Sequence, residues 1–137
     1  INTALCNSYL SIEHPGSVPE PYRANMANWI FGCDICQEVC PFNILSKTTN
    51  VENFNRDYAG ASIELIKVLK LKDKNAVMQS FAGSPLMRTG QSGLIRNACT
   101  VAGNIEAHEL KPSLISLLQS EEEGIRDHAA WALDRIV

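Results

Sequence analysis

The run Cys33-Asp34-Ile35-Cys36-Gln37-Glu38-Val39-Cys40-Pro41 constrains this chain more than any other stretch. Three thiols stand at C-x2-C-x3-C spacing, and the proline after the third turns the chain away. The neighbourhood is equally restrictive, because Pro15-Gly16, Pro19, Pro21 and Pro41 interrupt any long helix in the first 50 residues. Short helical turns are expected only over Tyr22 to Ala27 and around Cys33 to Cys36. Four of the five cysteines fall in the first 40 residues. An odd count with this clustering argues against a secreted disulfide framework and for metal or redox chemistry.

From residue 60 onward the pattern changes to helical periodicity. Ser62 is positioned to cap a helix in which Ile63, Leu65, Ile66, Val68 and Leu69 form a wide apolar face and Glu64, Lys67 and Lys70 stay wet. A second helix is expected from Asp73 to Ala82, stopping at Gly83-Ser84-Pro85. Residues 96–104 and 126–135 then form two related Ala-rich helices, Ala98-Cys99 aligning with Ala129-Ala130 at a period of 31 residues. Pro112 between them sits where a first helical turn tolerates its missing N–H. Aliphatic helices alternating with small-residue helices are similar to HEAT-like repeats. The expected fold is therefore mainly α: a loop-rich half of a ferredoxin-like module over residues 1–50, a polar linker over 51–59, and a HEAT-like helical domain over 60–137. Cys99 belongs to the small-residue face and is expected in the core.

Composition excludes several classes. The apolar fraction of 45% is that of a folded chain, no apolar run approaches the ~18 residues of a membrane span, and no signal-peptide pattern opens the sequence. A cytoplasmic monomer with no membrane contact is expected. The chain starts at Ile1 rather than Met, which reads as the tail of a longer protein. Net charge is −3 overall, but residues 60–96 hold six Lys/Arg against two Asp/Glu, while the flanking segments are acidic. Lys67, Lys70, Arg88 and Arg96 are the candidates for contact with a polyanion such as nucleic acid. His108 and His128, with no second ligand nearby in sequence, are read as surface or capping residues.

The thiol spacing reproduces the last three cysteines of the bacterial ferredoxin motif C-x2-C-x2-C-x3-C-P, whose final cysteine ligates a second cluster. Ile30 stands where the first cysteine belongs. If Cys6 takes that role, Cys6, Cys33 and Cys36 supply three ligands of one [4Fe-4S] cluster and Cys40 one ligand of another. Zinc held by Cys33, Cys36, Cys40 and either Cys6 or His14 is the alternative; a thiol–disulfide pair is a third reading, without the βαβ context that goes with it. Trp29 and Phe31 are expected to shield the cysteine loop from water.

Taken with Cys6-Asn7-Ser8-Tyr9-Leu10-Ser11-Ile12-Glu13, Pro19-Glu20 and Ile30-Phe31-Gly32, and with Gly83-Ser84-Pro85-Leu86 and Gly93-Leu94-Ile95-Arg96-Asn97-Ala98 further on, the cysteine run resembles the second cluster motif of the epoxyqueuosine reductases. The resemblance covers most of the chain. It implies a parent enzyme with a cobalamin-binding N-terminal domain, two [4Fe-4S] clusters and a helical repeat domain, which reduces epoxyqueuosine to queuosine in tRNA. It further implies that Cys6, Cys33 and Cys36 belong to the cluster nearer the corrin, completed from a first motif outside these residues, that Cys40 completes the other, and that Asp34 and Ile35 lie against the corrin. The family's catalytic acid is not among these 137 residues, so no catalytic residue is assigned here, and the electron donor is not identified. Met87-Arg88-Thr89-Gly90-Gln91-Ser92 carries fewer basic residues than the family has at this point, which weakens the expected tRNA contact.

Overall fold

The computed structural model describes residues 1–55, 59–60 and 62–136, and among them every regular element is helical. Of the expected linker, residues 56–58 lie outside the described residues; Glu52–Asn55 within it forms a 3-10 turn. No helix among the described residues is long and apolar enough to cross a membrane.

The cysteine-bearing segment is a chain of short elements. Asn2 caps a 3-10 turn over Thr3–Leu5 by accepting from the Ala4 N–H, and Cys6 closes that turn and opens helix α1, Asn7–Ile12. Pro15-Gly16, with Gly16 at φ +70°, turns the chain back after α1. Helix α2, Glu20–Arg23, starts earlier than the expected Tyr22 because Pro21 fits its first turn, and it runs on as a 3-10 turn over Ala24–Met26. Helix α3 spans only Ile35–Glu38. Cys33, expected inside this turn, precedes it, because Asp34 sits at the N-cap with non-helical dihedrals. Leu10, Val18 and Met26 form a small buried cluster against Tyr9 and Tyr22. Beyond it, Val39, Phe42, Ile44, Leu45 and Phe54 are 74–91% exposed, so this arm lacks a core of its own past α3.

The helical segment has the larger core. Helix α4 is Leu65–Leu69, with Glu64 rather than Ser62 at its N-cap. The expected Ser62 cap fails because the backbone is still extended at Glu64 (φ −70°, ψ 111°), two residues too late for the serine to reach the first free N–H. Helix α5, Lys74–Phe81, matches the sequence expectation: Asp73 accepts from the Ala76 N–H at 2.8 Å, and the helix ends before Gly83. Helix α6, Gly90–Asn104, is the central element, buried without a break from Leu94 through Gly103. Helix α7, Lys111–Leu117, carries Pro112 in its first turn, and α8, Glu123–Arg135, packs along α6.

Close approach of α6 and α8 explains the small-residue pattern. Ala98, Cys99, Ala102, Ala129 and Ala132 are all fully buried, whereas Ala130, paired with Cys99 by the 31-residue period, faces solvent. A Cβ added at Gly103 would lie 2.9 Å from the Ala132 Cα and 2.9 Å from the Trp131 ring, so only glycine allows this spacing. Burial pushes the Cys99 thiol up to about 12, and it behaves as the small core residue expected.

Candidate metal centre and its support

Helix α6 presents a polar ridge, Arg96, Asn97, Thr100 and Asn104, to the cysteine segment. Arg96 is 5% exposed, and its five N–H donors are all used: on the carbonyls of Leu10 (2.9 Å), His14 (2.8 Å) and Gly16 (2.6 Å), and twice on Asn97 Oδ1. These carbonyls belong to the last turn of α1 and the loop after it, groups a helix end leaves without partners. Arg96 thus caps α1 across the interface. Burial lowers its pKa to about 10, still well above neutrality. This corrects the expectation of a nucleic-acid contact: no donor of Arg96 remains for a phosphate.

Asn97, fully buried, donates to the carbonyls of Ser11 (2.7 Å) and Ile30 (2.9 Å). Asn104 donates to the carbonyls of Arg23 and Ala27, both at 2.9 Å. Thr100 pairs with His128 Nδ1 at 2.7 Å, while His128 Nε2 accepts from the Val18 N–H at 3.0 Å. That acceptor role places the neutral ring's one proton on Nδ1, which donates to Thr100 Oγ1. His128 is therefore no surface or capping residue, contrary to the sequence reading. Desolvation, with Arg23 and Arg96 nearby, drives its pKa down to about 3, so the ring is neutral at ordinary pH. His108 does sit at an exposed turn, as expected.

A second tie runs through Arg23, which donates to the Val18 carbonyl at 2.8 Å and pairs with Asp127 on α8. Burial alone would raise the Asp127 carboxyl, but hydrogen bonds from Arg23 and Ser17 outweigh it and hold the pKa below the usual range. Trp131 is half-buried with the Arg23 and Arg135 guanidinium groups 5.8 and 5.0 Å from its ring centroid. Phe31 and Ile30 pack on the helical core, and Trp29 lines a cleft with Ile63, Leu65 and Leu86. These side chains fasten the loop to the helices.

The cysteines follow from this framework. Cys6 is the N-cap residue of α1, and the helix reaches the Cys33 loop at two points: Ser8 Oγ donates to the Cys33 carbonyl (3.2 Å), and Ser11 Oγ accepts from the Gly32 N–H (3.0 Å). Gly32, at φ +68°, supplies the turn that a side chain would resist. Cys6, Cys33 and Cys40 are half-buried, Cys36 is exposed in the first turn of α3, and all are unbridged. Cys40 lies at the start of the Pro41–Asn43 turn. Four tetrahedral zinc ligands would hold their sulfurs about 3.8 Å apart, given Zn–S bonds of about 2.3 Å. Among the described residues no three His, Cys, Asp or Glu side chains converge as a single-ion site. His14 Nε2 donates to the Ser17 carbonyl (3.1 Å) and its ring is edge-on to Tyr9, while its buried Nδ1 has no hydrogen-bond partner among the described residues. The donor set, all thiols on two elements tied together, fits part of an iron–sulfur ligand shell.

The remaining candidate residues are solvent-facing. Asp34 and Ile35 open α3, with Ile35 51% exposed. Arg88 is exposed but paired with Glu13, and Lys67 is paired with Glu64 at 2.7 Å, so each cation is already partly neutralised; Lys70 is exposed. Asn97, Asn104, Ser11 and Arg23 escaped sequence reasoning as interface residues. For Asn97 and Asn104 the one signal is a polar i, i+1, i+4, i+8 stripe, shared with Arg96 and Thr100, on an otherwise small and apolar helix; Ser11 and Arg23, on α1 and α2, carry no such signal.

Residues 1–43 match the family model of a 4Fe-4S double cluster binding domain. The chain is 34% identical over 136 residues to the epoxyqueuosine reductase of Aliivibrio fischeri, covering 97% of this chain and 36% of that protein. It is 32% identical over 133 residues to the Escherichia coli enzyme, covering 97% and 35%. Among solved structures, an epoxyqueuosine reductase bound to an epoxyqueuosine-modified tRNA-Tyr stem loop superposes with TM-score 0.86 at 27% identity, over 99% of this chain and 36% of that one. A selenomethionine-labelled epoxyqueuosine reductase gives 0.88 at 26% identity. The chain spans little more than a third of the length of the relatives it matches.

Proposed function

We propose, on the premise that this chain is one part of an epoxyqueuosine reductase in sequence and fold, that it supplies half of a double [4Fe-4S] module together with the helical scaffold that holds it. Cys6, Cys33 and Cys36 are three ligands of one cluster and Cys40 is a ligand of the other; the remaining ligands come from elsewhere in the parent. The observation that carries this reading is the double tie from α1 to the Cys33 loop, which fixes two widely separated cysteines on adjoining backbone. Bound clusters supply one-electron transfer, the chemistry needed to deliver reducing equivalents.

In the parent, the reading continues, cobalamin lies beside α3, with Asp34 and Ile35 toward the corrin, and epoxyqueuosine in tRNA is reduced to queuosine. The exposed start of α3 supports that placement. Residues 60–137 act as a HEAT-like scaffold, with Lys67, Lys70 and Arg88 as the outward cations available to tRNA phosphates. Arg96 is removed from that set by its burial. The exposed apolar side chains from Val39 to Phe54 are the surface that the rest of the parent covers. The parent works in the cytoplasm, as a monomer.

Anaerobic purification of the full-length parent tests the cluster reading. A brown protein absorbing broadly near about 400 nm is expected. Stoichiometric zinc without that colour contradicts it. For tRNA, Lys70→Ala should lower the slope of log affinity against log salt by about 1; an unchanged slope removes Lys70 from the contact.

A further inference from the structure

The ridge on α6 bonds the chain three residues before a proposed cluster ligand, at the Ile30 carbonyl. Asn97 has no exposure to solvent, and its side chain is fully committed: both amide hydrogens go to backbone carbonyls, Ser11 at 2.7 Å and Ile30 at 2.9 Å, while its oxygen accepts twice from Arg96. From Ser11 the connection continues, because its hydroxyl oxygen accepts from the Gly32 N–H at 3.0 Å and donates to the Ser8 carbonyl at 3.3 Å. Ser8 in turn donates to the Cys33 carbonyl at 3.2 Å. The short span Ile30–Cys33 is thus held at three points, Ile30 by Asn97, Gly32 by Ser11 and Cys33 by Ser8, and Gly32 gives it the left-handed turn that presents Cys33.

We infer that Asn97 and Ser11 are positioning residues that set the approach of the Cys33 thiolate, and through it the stability and potential of the group Cys33 holds. Resting on the cluster reading above, the inference assigns these two side chains a duty beyond joining two segments. The physical ground is that a thiolate's donor strength and its hydrogen bonding respond to the orientation of the adjoining peptide groups, and partners one shell out tune a bound metal group. Arg96 serves this arrangement indirectly, by locking the Asn97 amide so that its NH2 faces the loop and its oxygen faces the guanidinium. Neither Asn97 nor Ser11 touches a cysteine sulfur. They act through the backbone.

Asn97→Asp and Ser11→Ala in the full-length parent test this, with Asn104→Ala as the control. Asp keeps the shape of Asn97 but removes both donors, and Ser11→Ala deletes one hydroxyl. Asn104→Ala removes bonds to the same segment at Arg23 and Ala27, away from Cys33. In anaerobically purified protein, each test variant is expected to displace the midpoint potential and the electron paramagnetic resonance signal of one cluster only, and to lose that cluster to a chelator about tenfold faster. The control lowers thermal stability and leaves potential, signal and chelator rate unchanged. If Asn97→Asp fails to fold, Ser11→Ala alone decides. Wild-type potential, signal and chelator rate in Ser11→Ala overturn the inference while leaving the cluster reading intact. Absence of iron from the unsubstituted protein overturns both.

Discussion

The two halves of the cysteine segment differ in what holds them. Residues 6–33 lie against α6 and α8, with Leu10, Val18 and Met26 buried and the loop carbonyls taken up by Arg96, Asn97 and Asn104. Residues 34–55 make mostly local bonds, such as those from Asn43 to Gln37, and expose their largest apolar side chains. One half is organised by the helical segment, and the other is largely solvent-exposed. The difference teaches that the helical segment is a template for the Cys6–Cys33 end of the motif, while the Cys36–Cys40 end is shaped mainly by its own local bonds.

Substitutions that break the template are expected to have the largest effects. Arg96→Ala leaves three carbonyls of the α1 turn without donors, and at roughly 1–3 kcal/mol for each buried unsatisfied group the loss is comparable to the whole stability of a small domain. Arg96→Ala should therefore be unfolded, or melt with the cysteine segment protease-sensitive, in circular dichroism and limited proteolysis. Next comes Gly103→Ala, which drives a Cβ into Ala132 and Trp131 and should cost about 1–3 kcal/mol in urea denaturation. Acid has a comparable effect. Because the folded His128 titrates near 3 and an unfolded histidine near 6.5, the unfolded chain binds more protons between these values. Stability is fully present above about pH 6.5 and falls as pH drops toward 3. A His128→Gln variant should show a flatter stability–pH curve over that window.

The untemplated half should behave in the opposite way. Phe42→Ser and Leu45→Ser, both at exposed positions, should change the stability of this chain by no more than about 0.5 kcal/mol in urea denaturation, while in the full-length parent the same pair should lower the melting temperature if these side chains are covered there. The smallest effect belongs to Arg88→Ala. Its pairing with Glu13 is exposed, and about 0–1 kcal/mol is expected by thermal melt.

Much of the helical segment was legible in sequence, because Asp73, Pro112 and the small residues of α6 and α8 report local rules of capping and close packing. The cysteine spacing was legible for the same reason. What sequence hid were long-range bonds. Arg96 and Lys70 look alike as charges in a basic stretch, yet one is consumed by three distant carbonyls and the other faces water; the choice depends on a loop 80 residues away finding α6. His128 is hidden for the same cause, since it accepts from the Val18 N–H and donates to Thr100 in the interior, and nothing adjacent in sequence announces either partner. Ser62 failed as a cap by two residues, within the usual uncertainty of helix ends.

The division of the thiols between two clusters is the central claim, and iron counting tests it most directly. Cys6→Ser and Cys40→Ser are made in the full-length parent, purified anaerobically, and examined for iron content and paramagnetic resonance. Each is expected to lose one cluster's iron, and the two should lose different signals. Loss of the same signal in both, or full iron in both, would contradict the account.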